Sequence, residues 1–498
     1  MKLKEILKHV PNKKVSNFKN YEISGITYDS RKVKENYIFV AIKGTKLDGH
    51  NFIKDAIDRG AKVIFVEREL LLPHDITQVV VENTRETLAL ISSIFYGNPS
   101  DKLKVIGITG TNGKTTTSYL LKSILTESGK KCGLIGTVMY EIGERKISSI
   151  NTTPESLDIE ELLSQMVEMG TTHAIMEVSS HGLDQGRVKF INFDAGIMTN
   201  ISSHEHLDYH KSFKNYLKAK LSFFGRYLAE SKKKKKIGIV NRDDPYSKYF
   251  INELKRNNIE FITYGRDKKS DVKLIDFKIS EKGNYLKVES GGKIYEFSTP
   301  ITGRGNIYNA VASISYAFFE GIPVEIIKKG LENIKSVPGR FEFIDEGQPF
   351  SVIVDYAHTS HSLENLLLSV RDLNPKRIIL IFGCGGDRDR SKRPVMGKIA
   401  VKMADIVIIT SDNPRSEDPM DIIRDIEKGI GWLRRKKCKI IPDRKEAIKE
   451  GIFLAEEGDF VVIAGKGHET YQILKDTVIP FDDREEARKF IRERYGRG

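Results

Sequence analysis

The sequence has few of the residues that mark secreted or membrane-spanning proteins. Its 498 residues include three cysteines, Cys132, Cys384 and Cys438, which lie far apart in the chain. This spacing excludes a disulfide framework and a zinc site built from cysteines, and it fits a reducing compartment. The first residues carry charges at helical spacing in place of a signal-peptide core, and no stretch of about 18 apolar residues occurs. We therefore expect a cytoplasmic protein with no membrane partner.

The composition provides enough apolar residues for several domains. Hydrophobic residues make up 39% of the chain and charged residues 30%, which is typical of globular proteins. At roughly 100–200 residues per domain, two to four domains are expected. The formal net charge of +13 has two interpretations, a nucleic-acid partner or a lysine-rich solvated surface that also attracts small anionic substrates. The second is favoured because the excess charge is spread along the chain.

Strand-like runs alternate with helical patterns, and they divide the chain into three blocks. Residues 1–99 combine short strands and helices, residues 100–335 begin with the apolar run Leu103–Thr109, and residues 336–498 carry a further set of strands. Strands that alternate with helices indicate an α/β protein with largely parallel sheets. We predict a mostly parallel central sheet with a small antiparallel addition at about 271–298, and a second open α/β sheet in the last block.

The strongest motif is a glycine-rich turn between a predicted strand and a predicted helix. Residues Gly107–Thr116 read G-I-T-G-T-N-G-K-T-T. Glycines let backbone N–H groups approach a phosphate, and the start of a helix adds partial positive charge. Lys114 can reach the β- and γ-phosphates of a nucleotide, and Thr115 can bind Mg²⁺. The spacing is G-x-x-G-K-T and not the common G-x-x-x-x-G-K-[ST], so an ordinary strand-to-helix turn is the alternative.

Two further segments place acidic and histidine side chains after strands of the central block. One begins E-V-S-S-H at Glu177, and the other reads H-E-H-L-D-Y-H over 204–210. Because ligands of open parallel sheets bind at the carboxyl ends of the strands, we expect Glu177 and His206 to meet beside the phosphate loop. Mg²⁺ prefers oxygen ligands, so the histidine-rich run leaves zinc as one alternative and a structural turn as another.

Seven short motifs that occur in order carry a resemblance to a known family. They are G-T-N-G-K-T-T at 110–116, N-T-T-P-E at 151–155, E-V-S-S-H-G-L at 177–183, H-L-D-Y-H at 206–210, D-Y-A-H at 355–358, G-G-D-R-D at 385–389 and D-N-P-R at 412–415. Over nearly its whole length the sequence resembles the Mur ligase family. The phosphate loop is shared with the wider superfamily, which includes folylpolyglutamate synthetase, whereas the D-N-P-R-x-E-D-P run resembles members that add meso-diaminopimelate.

The resemblance implies three domains and a reaction. Residues 1–99 are expected to bind the UDP part of the substrate, residues 100–335 to form a P-loop ATPase-like domain, and residues 336–498 to form a Rossmann-like domain that binds the amino acid. ATP and Mg²⁺ are expected as cofactors. ATP would phosphorylate the D-Glu γ-carboxylate of UDP-MurNAc-L-Ala-D-Glu, and the amine of meso-2,6-diaminopimelate would attack the acyl phosphate in this step of peptidoglycan precursor synthesis.

The resemblance also implies residue roles. Lys114, Lys220 and His206 are expected to be catalytic, with Lys220 carbamylated by CO₂. Metal ligands are expected at Thr115, Glu177, His206 and Lys220, and nucleotide contacts at Gly110, Thr111, Asn112, Gly113, Lys114, Thr115, Thr116, Asn309, Arg340 and Asp355, with His358 nearby. Substrate contacts are expected at Tyr28, Ser30, Thr45, Lys46, Leu47, Asn151, Thr152, Thr153, Ser179, Gln185, Arg187, Arg388, Asp412, Asn413, Pro414, Arg415, Gly465 and Glu469.

The sequence departs from the family pattern at two places, and other functions are alternatives. After D-Y-A-H the family often continues T-P-D, but here Thr359 is followed by Ser360 and His361, and Glu205 stands where the family usually has Asp. Addition of L-lysine and a folylpolyglutamate synthetase activity are the nearest alternatives. A nucleic-acid-stimulated NTPase and an inactive binding scaffold are more distant ones. We expect small-molecule substrates, no nucleic-acid partner and a monomer.

Overall fold

Helix-covered sheets follow one another along the chain. The computed structural model describes residues 1–44, 47–203 and 205–496. Parallel strands joined through helices dominate each region, so the predicted α/β class is confirmed. The predicted substrate residues Thr45 and Lys46 lie outside the described residues.

The N-terminal region is built on a sheet with the strand order β1-β5-β4-β3-β2. Its strands are β1 (Lys14–Ser16), β2 (Gly25–Thr27), β3 (Tyr37–Val40), β4 (Ala61–Val66) and β5 (Thr77–Val80). Its helices are α1 (Leu3–Leu7), α2 (Ile53–Asp58) and α3 (Thr84–Phe95). Strands β2 to β5 are parallel and β1 is antiparallel. Alternate residues of β3 and β4 enter hydrophobic clusters on opposite faces, which explains their continuous apolar sequence.

The central region carries the largest sheet, in the order β16-β15-β14-β13-β12-β11-β6-β10-β7-β8-β9. Its strands are β6 (Lys104–Thr109), β7 (Cys132–Ile135), β8 (Met139–Ile142), β9 (Arg145–Ser148), β10 (His173–Glu177), β11 (Ala195–Met198), β12 (Ile237–Asn241), β13 (Glu260–Gly265), β14 (Val272–Ser280), β15 (Gly283–Ser290) and β16 (Lys293–Thr299). Its helices are α4 (Lys114–Glu127), α5 (Ser156–Glu168), α6 (Ser180–Asp184), α7 (Leu207–His210), α8 (Phe213–Ser222), α9 (Ser247–Arg256), α10 (Arg304–Phe319) and α11 (Val324–Glu332). The antiparallel pairs β14–β15 and β15–β16 confirm the predicted addition.

Two apolar clusters cover the faces of this central sheet. Ile106 and Ile108 of β6 belong to one cluster, and Val105 belongs to the other. Gly107 sits between them, where a Cβ atom would collide with the ring of Phe223. Apolar side chains therefore pack on both faces of β6, directly before the chain enters the phosphate loop.

The C-terminal region has a sheet in the order β17-β18-β22-β19-β20-β21 and a separate hairpin, β23-β24. Its strands are β17 (Glu342–Phe343), β18 (Ser351–Asp355), β19 (Ile378–Phe382), β20 (Ile406–Ile409), β21 (Cys438–Ile440), β22 (Phe460–Ala464), β23 (Tyr471–Leu474) and β24 (Thr477–Pro480). Its helices are α12 (Ser360–Arg371), α13 (Lys392–Met403), α14 (Pro419–Glu427), α15 (Arg444–Leu454) and α16 (Asp483–Tyr495). Strands β18 to β22 are mutually parallel, and β17 is antiparallel.

The central and C-terminal regions meet across a cleft at the carboxyl ends of their parallel strands. The Thr359 hydroxyl donates to Glu205 Oε1 at 2.6 Å, and Arg304 pairs with Asp372 at 2.8 Å. Glu205 is one of the positions at which the sequence departs from the family pattern, and its hydrogen bond joins the central region to the C-terminal one. Within the described residues, no helix is long and apolar enough to cross a membrane.

Candidate functional site

The predicted phosphate loop connects β6 to α4. Gly110 and Gly113 have φ values of 149° and 87°, conformations that L side chains rarely adopt. A Cβ atom at Gly110 would collide with the Thr199 hydroxyl, and one at Gly113 would collide with Asn309. Helix α4 begins at Lys114, directly after the glycine-rich turn. The loop therefore has the glycine-dependent shape and the helix N-terminus that phosphate binding requires.

Two lysine ammonium groups point into this loop. Lys114 Nζ donates to the carbonyl oxygens of Gly110 (2.9 Å) and Thr111 (3.0 Å), and Lys220 Nζ donates to the same Gly110 oxygen at 2.7 Å. Burial lowers the pKa of Lys114 to about 8 and lowers that of Lys220 well below its ordinary value. Lys218, two residues before Lys220 on the same helix, is exposed. Of Lys218 and Lys220, only Lys220 reaches the loop.

A buried carboxylate lies on the other side of the loop. Glu177, at the end of β10, is fully buried and accepts hydrogen bonds from the Thr115 hydroxyl (3.0 Å) and from the hydroxyl (2.8 Å) and amide (2.9 Å) of Thr137. Within the described residues, no basic side chain forms an ion pair with it. A buried carboxylate surrounded by hydroxyl groups next to a phosphate loop fits a hard divalent cation.

His206 precedes the first residue of α7 and has a φ of 59°, and its side chain makes no capping hydrogen bond. Its ring is open to the cleft and lies 5.4 Å from the ring of His181 and 5.7 Å from that of Tyr216. Desolvation lowers its pKa, and the charges of Lys220 and Lys114 lower it further, so the imidazole is neutral. Among the residues that the structure describes, no group of three or more His, Cys, Asp or Glu side chains could hold a metal ion, so the zinc alternative has no ligand set there.

One cavity joins the phosphate loop to several predicted substrate residues. Its lining includes the predicted residues Thr111, Asn112, Gly113, Lys114, Thr115, Thr116, Asn151, Thr152, Thr153, Glu177, Ser179, Arg187, His206, Lys220 and Arg340. Arg187 is fixed by its hydrogen bonds to the Thr153 carbonyl (2.7 Å) and to Gln185 Oε1 (2.7 Å). Glu155, in the N-T-T-P-E segment, pairs with Arg187 at 3.2 Å and also with Arg85 of the N-terminal region.

Other predicted substrate residues lie outside this cavity. Gln185 lines a neighbouring polar cavity with Lys218. Tyr28 donates a 2.6 Å hydrogen bond to Asp158 Oδ2, so it joins the N-terminal region to α5. Ser30 is buried at the start of a 3₁₀ turn, and Leu47 is exposed. The structure thus brings part of the predicted substrate set to the phosphate loop and leaves Tyr28, Ser30 and Leu47 on the N-terminal region.

A second cavity opens into the first from the C-terminal side. Its lining includes the predicted residues His206, Arg388, Asp412, Asn413, Arg415, Gly465 and Glu469, together with His358. It shares His181, Glu205, His206, Tyr356, His358 and Thr359 with the phosphate-loop cavity. The two predicted sites therefore form one continuous cleft. Pro414 does not line it, but its carbonyl oxygen packs so closely on Gly386 that no Cβ atom fits there.

Charged and amide groups of the second cavity are held in place by one another. Asn413 Nδ2 donates to Glu469 Oε2 at 2.8 Å, and Lys466 Nζ donates to the same oxygen at 3.0 Å and to Asn413 Oδ1 at 3.2 Å. Lys466 is fully buried. Arg415, with a φ of 53°, donates to the Gly386 carbonyl at 2.8 Å.

A buried arginine supports the two loops that carry Arg388 and Arg415. Arg393 pairs with Glu417 at 2.8 Å and with Asp425 at 3.0 Å, and it also reaches the Gly385 carbonyl. Hydrogen bonds from Arg393 lower the pKa of the Glu417 carboxyl to about 2. Arg388 itself is exposed at the mouth of the cavity. The rigid support thus lies below the loops, while the recognition groups face the cleft.

A third cavity extends from the phosphate loop on the side of Asp355. It is lined by Asn112, Gly113, Thr116, Arg340 and Asp355, among others. The Asp355 carboxylate accepts from the amides of Phe341 (2.7 Å) and Ala357 (2.8 Å). Asn309 does not line this cavity. Its side chain packs against Gly113 of the loop and donates a hydrogen bond to Asn306 at 2.9 Å. Arg340 donates to the Thr115 hydroxyl at 3.2 Å, and its buried Nε has no partner among the described residues.

Several residues of the cleft were not predicted from the sequence. Thr137, which binds Glu177, gives no signal because it lies outside every motif. Lys466 lies between the predicted Gly465 and Glu469, and a lysine among glycines after a strand was a usable signal. Tyr356, inside the D-Y-A-H motif, lies 4.8 Å from the Arg340 guanidinium. His181 was noted as the histidine of the E-V-S-S-H segment but was given no role, and it is shared by both main cavities.

The sequence matches three family profiles in order: the Mur ligase family catalytic domain over 22–96, the Mur ligase middle domain over 108–317 and the Mur ligase glutamate ligase domain over 339–467. It is 46% identical over 489 residues to the UDP-N-acetylmuramoyl-L-alanyl-D-glutamate–2,6-diaminopimelate ligase of Clostridium perfringens, covering 97% of this chain and 98% of that protein. The chain belongs to the Mur ligase family. The Aquifex aeolicus Mur ligase of the same name is 45% identical over 469 residues and matches 94% of each chain.

Solved structures of Mur ligases share the architecture. A structure named as the 2,6-diaminopimelate ligase superposes with a TM-score of 0.69 at 30% identity and covers 99% of both chains. The Thermotoga maritima MurF ligase in complex with ADP gives a TM-score of 0.63 at 20% identity, covering 94% of this Mur ligase and 97% of that one. At that identity the second likeness shows the fold alone.

Proposed function

We propose that this Mur ligase uses ATP to join meso-2,6-diaminopimelate to the D-Glu γ-carboxylate of UDP-MurNAc-L-Ala-D-Glu. One observation carries the proposal: the cavity with Arg415, Asn413 and Glu469 opens directly into the cavity with the phosphate loop. A site for a zwitterionic amino acid therefore adjoins a site for a triphosphate. The names of the relatives support the choice of substrates, and these nucleotide-linked substrates support a cytoplasmic location.

The first step is phosphoryl transfer from ATP to the substrate carboxylate. A carboxylate oxygen attacks the γ-phosphorus, the bond to the bridging oxygen breaks, and ADP leaves with that electron pair. Phosphoryl transfer depends on positioning and on neutralisation of charge. Lys114 and Arg340 line the same cavity as the loop, and Arg340 Nε has no hydrogen-bond partner within the described residues, which supports their assignment to this neutralisation.

Mg²⁺ would be held by Thr115, Glu177 and His206, and when bound it would neutralise phosphate charge. The buried Glu177 with its ring of hydroxyl donors fits such an ion. Lys220 is proposed to act as a carbamate, in which a neutral Nζ forms a bond to CO₂ and releases a proton. The strongly lowered pKa of Lys220 supports this assignment, because the reaction requires the unprotonated amine.

The second step is attack of an amine on the acyl phosphate. The amine nitrogen forms the new amide bond, phosphate leaves, and the nitrogen loses a proton. Meso-diaminopimelate has two amino-acid ends, and only one reacts. The distal end carries a carboxylate and an ammonium, which Arg415 and Glu469 complement. L-Lysine lacks the distal carboxylate and would leave the Arg415 guanidinium without its partner, which is costly in a closed cleft.

A panel of amino acids tests the proposal. The purified protein is incubated with ATP, Mg²⁺, UDP-MurNAc-L-Ala-D-Glu and, separately, meso-diaminopimelate, L-lysine or L-glutamate, and ADP and the tripeptide product are measured. Product and ADP in equal amounts are expected with meso-diaminopimelate. Product with L-lysine but none with meso-diaminopimelate would overturn the specificity, and ADP release with no tripeptide would overturn the ligase itself.

A further inference from the structure

The only tryptophan of the chain lies on the surface of the C-terminal region. Trp432 begins a 3₁₀ turn over Trp432–Lys437, with the sequence W-L-R-R-K-K. The Trp432 side chain is 82% exposed and that of Leu433 is 65% exposed. Large apolar side chains exposed side by side lose the free energy of burial, so they indicate a surface that is covered in some state of the protein.

Four consecutive cations follow this apolar pair. Arg435 pairs with Glu427 at 2.7 Å, and Lys437 donates to the Ala404 carbonyl at 3.3 Å. Arg434 and Lys436 are exposed, and neither forms an ion pair within the described part of the chain. The turn therefore combines two outward apolar side chains with unneutralised positive charge.

The turn is held firmly at both ends. Ile430 before it and Cys438 after it pack against the core of the C-terminal sheet. Cys438 begins β21, which is the edge strand of that sheet. Trp432 and Leu433 are therefore exposed on a segment whose two ends are anchored to the core.

The turn lies at the end of the sheet opposite to the ligase cleft. Strands β18 to β22 are parallel, and the site residues Asp412 and Gly465 follow the carboxyl ends of β20 and β22. Trp432–Lys437 instead precedes the amino end of β21. A partner bound at this turn would leave the substrate cleft open.

We propose that the Trp432–Lys437 turn is a peripheral docking surface for an anionic phospholipid leaflet. A leaflet presents negative charge outside and an apolar layer beneath, which matches a cationic turn with a protruding apolar tip. Tryptophan favours the level of the lipid headgroups, and basic residues next to an anionic membrane add affinity. A nucleic acid would match the cations and leave Leu433 exposed. Such docking requires no membrane-spanning helix, but it departs from the expectation, based on the sequence, that the protein has no membrane partner.

Because Trp432 is the only tryptophan, the fluorescence of the unmodified protein reports on this turn directly. Vesicles of equimolar phosphatidylglycerol and phosphatidylcholine are expected to shift its emission to shorter wavelengths, and added salt is expected to reverse the shift. Vesicles of phosphatidylcholine alone should give little shift. No shift with the anionic vesicles, an equal shift with both vesicle types, or a shift with a single-stranded oligonucleotide but not with vesicles would overturn the proposal.

Matched charge reversals separate this turn from the overall positive charge. At about fivefold in affinity per cation, the double variant Arg434→Glu with Lys436→Glu should raise the half-saturating lipid concentration more than tenfold. Lys234→Glu with Lys235→Glu makes the same change of net charge on an exposed part of the central region and should change it less than twofold. Equal losses in the two variants would overturn the proposal. Co-sedimentation measures both, and Trp432→Ala should weaken binding severalfold while ligase turnover is unchanged.

Discussion

The phosphate-loop cavity and the C-terminal cavity differ in the hydrogen-bond and ion-pair partners of their cationic side chains. Around the loop, Lys114 Nζ donates to carbonyl oxygens, and Lys220 Nζ donates to a carbonyl oxygen and to the Thr109 hydroxyl. Burial lowers the pKa of each lysine. Beneath the C-terminal cavity, Lys466 pairs with Glu469, and Arg393 pairs with Glu417. Within the described residues, the lysines of the first cavity therefore form no ion pair, whereas buried ion pairs beneath the second cavity hold its recognition groups in a fixed arrangement.

This difference matches the two classes of ligand. A triphosphate brings several negative charges, so a site with unpaired cations gains most when it binds. An amino-acid zwitterion brings no net charge, and its selection depends on where a donor and an acceptor are placed. The comparison predicts that removal of a charged group at the loop lowers turnover most strongly. It also predicts that removal of a positioning contact in the C-terminal cavity raises the KM for the amino acid and leaves the KM for ATP nearly unchanged.

The largest effect is expected for Lys114→Ala. Loss of the ammonium leaves the developing phosphate charge without its main partner, and we expect turnover to fall by about 10³-fold. ADP release in the complete reaction measures the change. Lys218→Ala removes an exposed lysine of α8 and should keep wild-type turnover. If Lys114→Ala retained more than a tenth of wild-type turnover, the loop would not be the centre of phosphoryl transfer.

A smaller and more selective effect is expected for Arg415→Ala. The distal carboxylate of meso-diaminopimelate loses a charged hydrogen bond, and its KM should rise by about 100-fold while the KM for ATP stays within twofold. Initial rates with each substrate varied in turn measure both constants. Arg424→Ala, which removes an exposed arginine of α14, is the matched control. Normal kinetics for meso-diaminopimelate in Arg415→Ala would refute this account of specificity.

Lys466→Met examines the internal pairing of the C-terminal cavity. Lys466 is proposed as a positioning residue, because it holds Glu469 and Asn413 and does not line the cavity. We expect the KM for meso-diaminopimelate to rise by about tenfold, with little change in the KM for ATP. In a double-mutant cycle, Glu469→Gln should remove most of this effect. Strictly additive effects, or equal increases in both KM values, would show that Lys466 serves only the fold.

The two cavities also differ in how far their sequences predict them. The G-T-N-G-K-T-T segment predicts its own geometry, because Gly110 and Gly113 adopt backbone conformations that few other residues allow. The strands β6, β10, β18 and β22 follow directly from apolar runs. Local patterns could not indicate Thr137 or the contact between Glu205 and Thr359, since both depend on segments brought together by the fold. The roles of Tyr28, Ser30 and Leu47 stay predictions.

The smallest expected effect concerns a buried acid away from both cavities. Glu160 of α5 is fully buried, and both of its carboxylate oxygens lack hydrogen-bond partners within the described residues. Burial raises the pKa of Glu160 to about 8. The pKa values of Lys114 and Lys220 are lowered because these side chains are buried without an ion-pair partner among the described residues. The same cause should shift the pKa of Glu160, which lies outside both cavities.

The sign of the effect on stability follows from the raised pKa. In the unfolded chain the carboxyl ionises above its ordinary pKa of 4.5, whereas in the folded protein it stays neutral up to a pH of about 8. The free energy of unfolding therefore loses about 1.4 kcal/mol for each pH unit between those values. Glu160→Gln does not ionise in either state, so its Tm relative to the wild type should rise by several degrees as the pH increases from 5 to 8.

Thermal unfolding of both proteins across this pH range measures the difference. Glu161→Gln is the matched control, since the neighbouring Glu161 side chain on α5 is exposed to solvent. Burial is expected to shift the pKa of Glu160 and the pKa values of Lys114 and Lys220 for the same reason. If the pKa of Glu160 were shifted but those of the two lysines were not, both lysines would be ordinary ammonium groups, and the comparison between the cavities would fail. A Tm difference that stays constant from pH 5 to pH 8 would show that Glu160 is ionised in the folded protein and has found a partner.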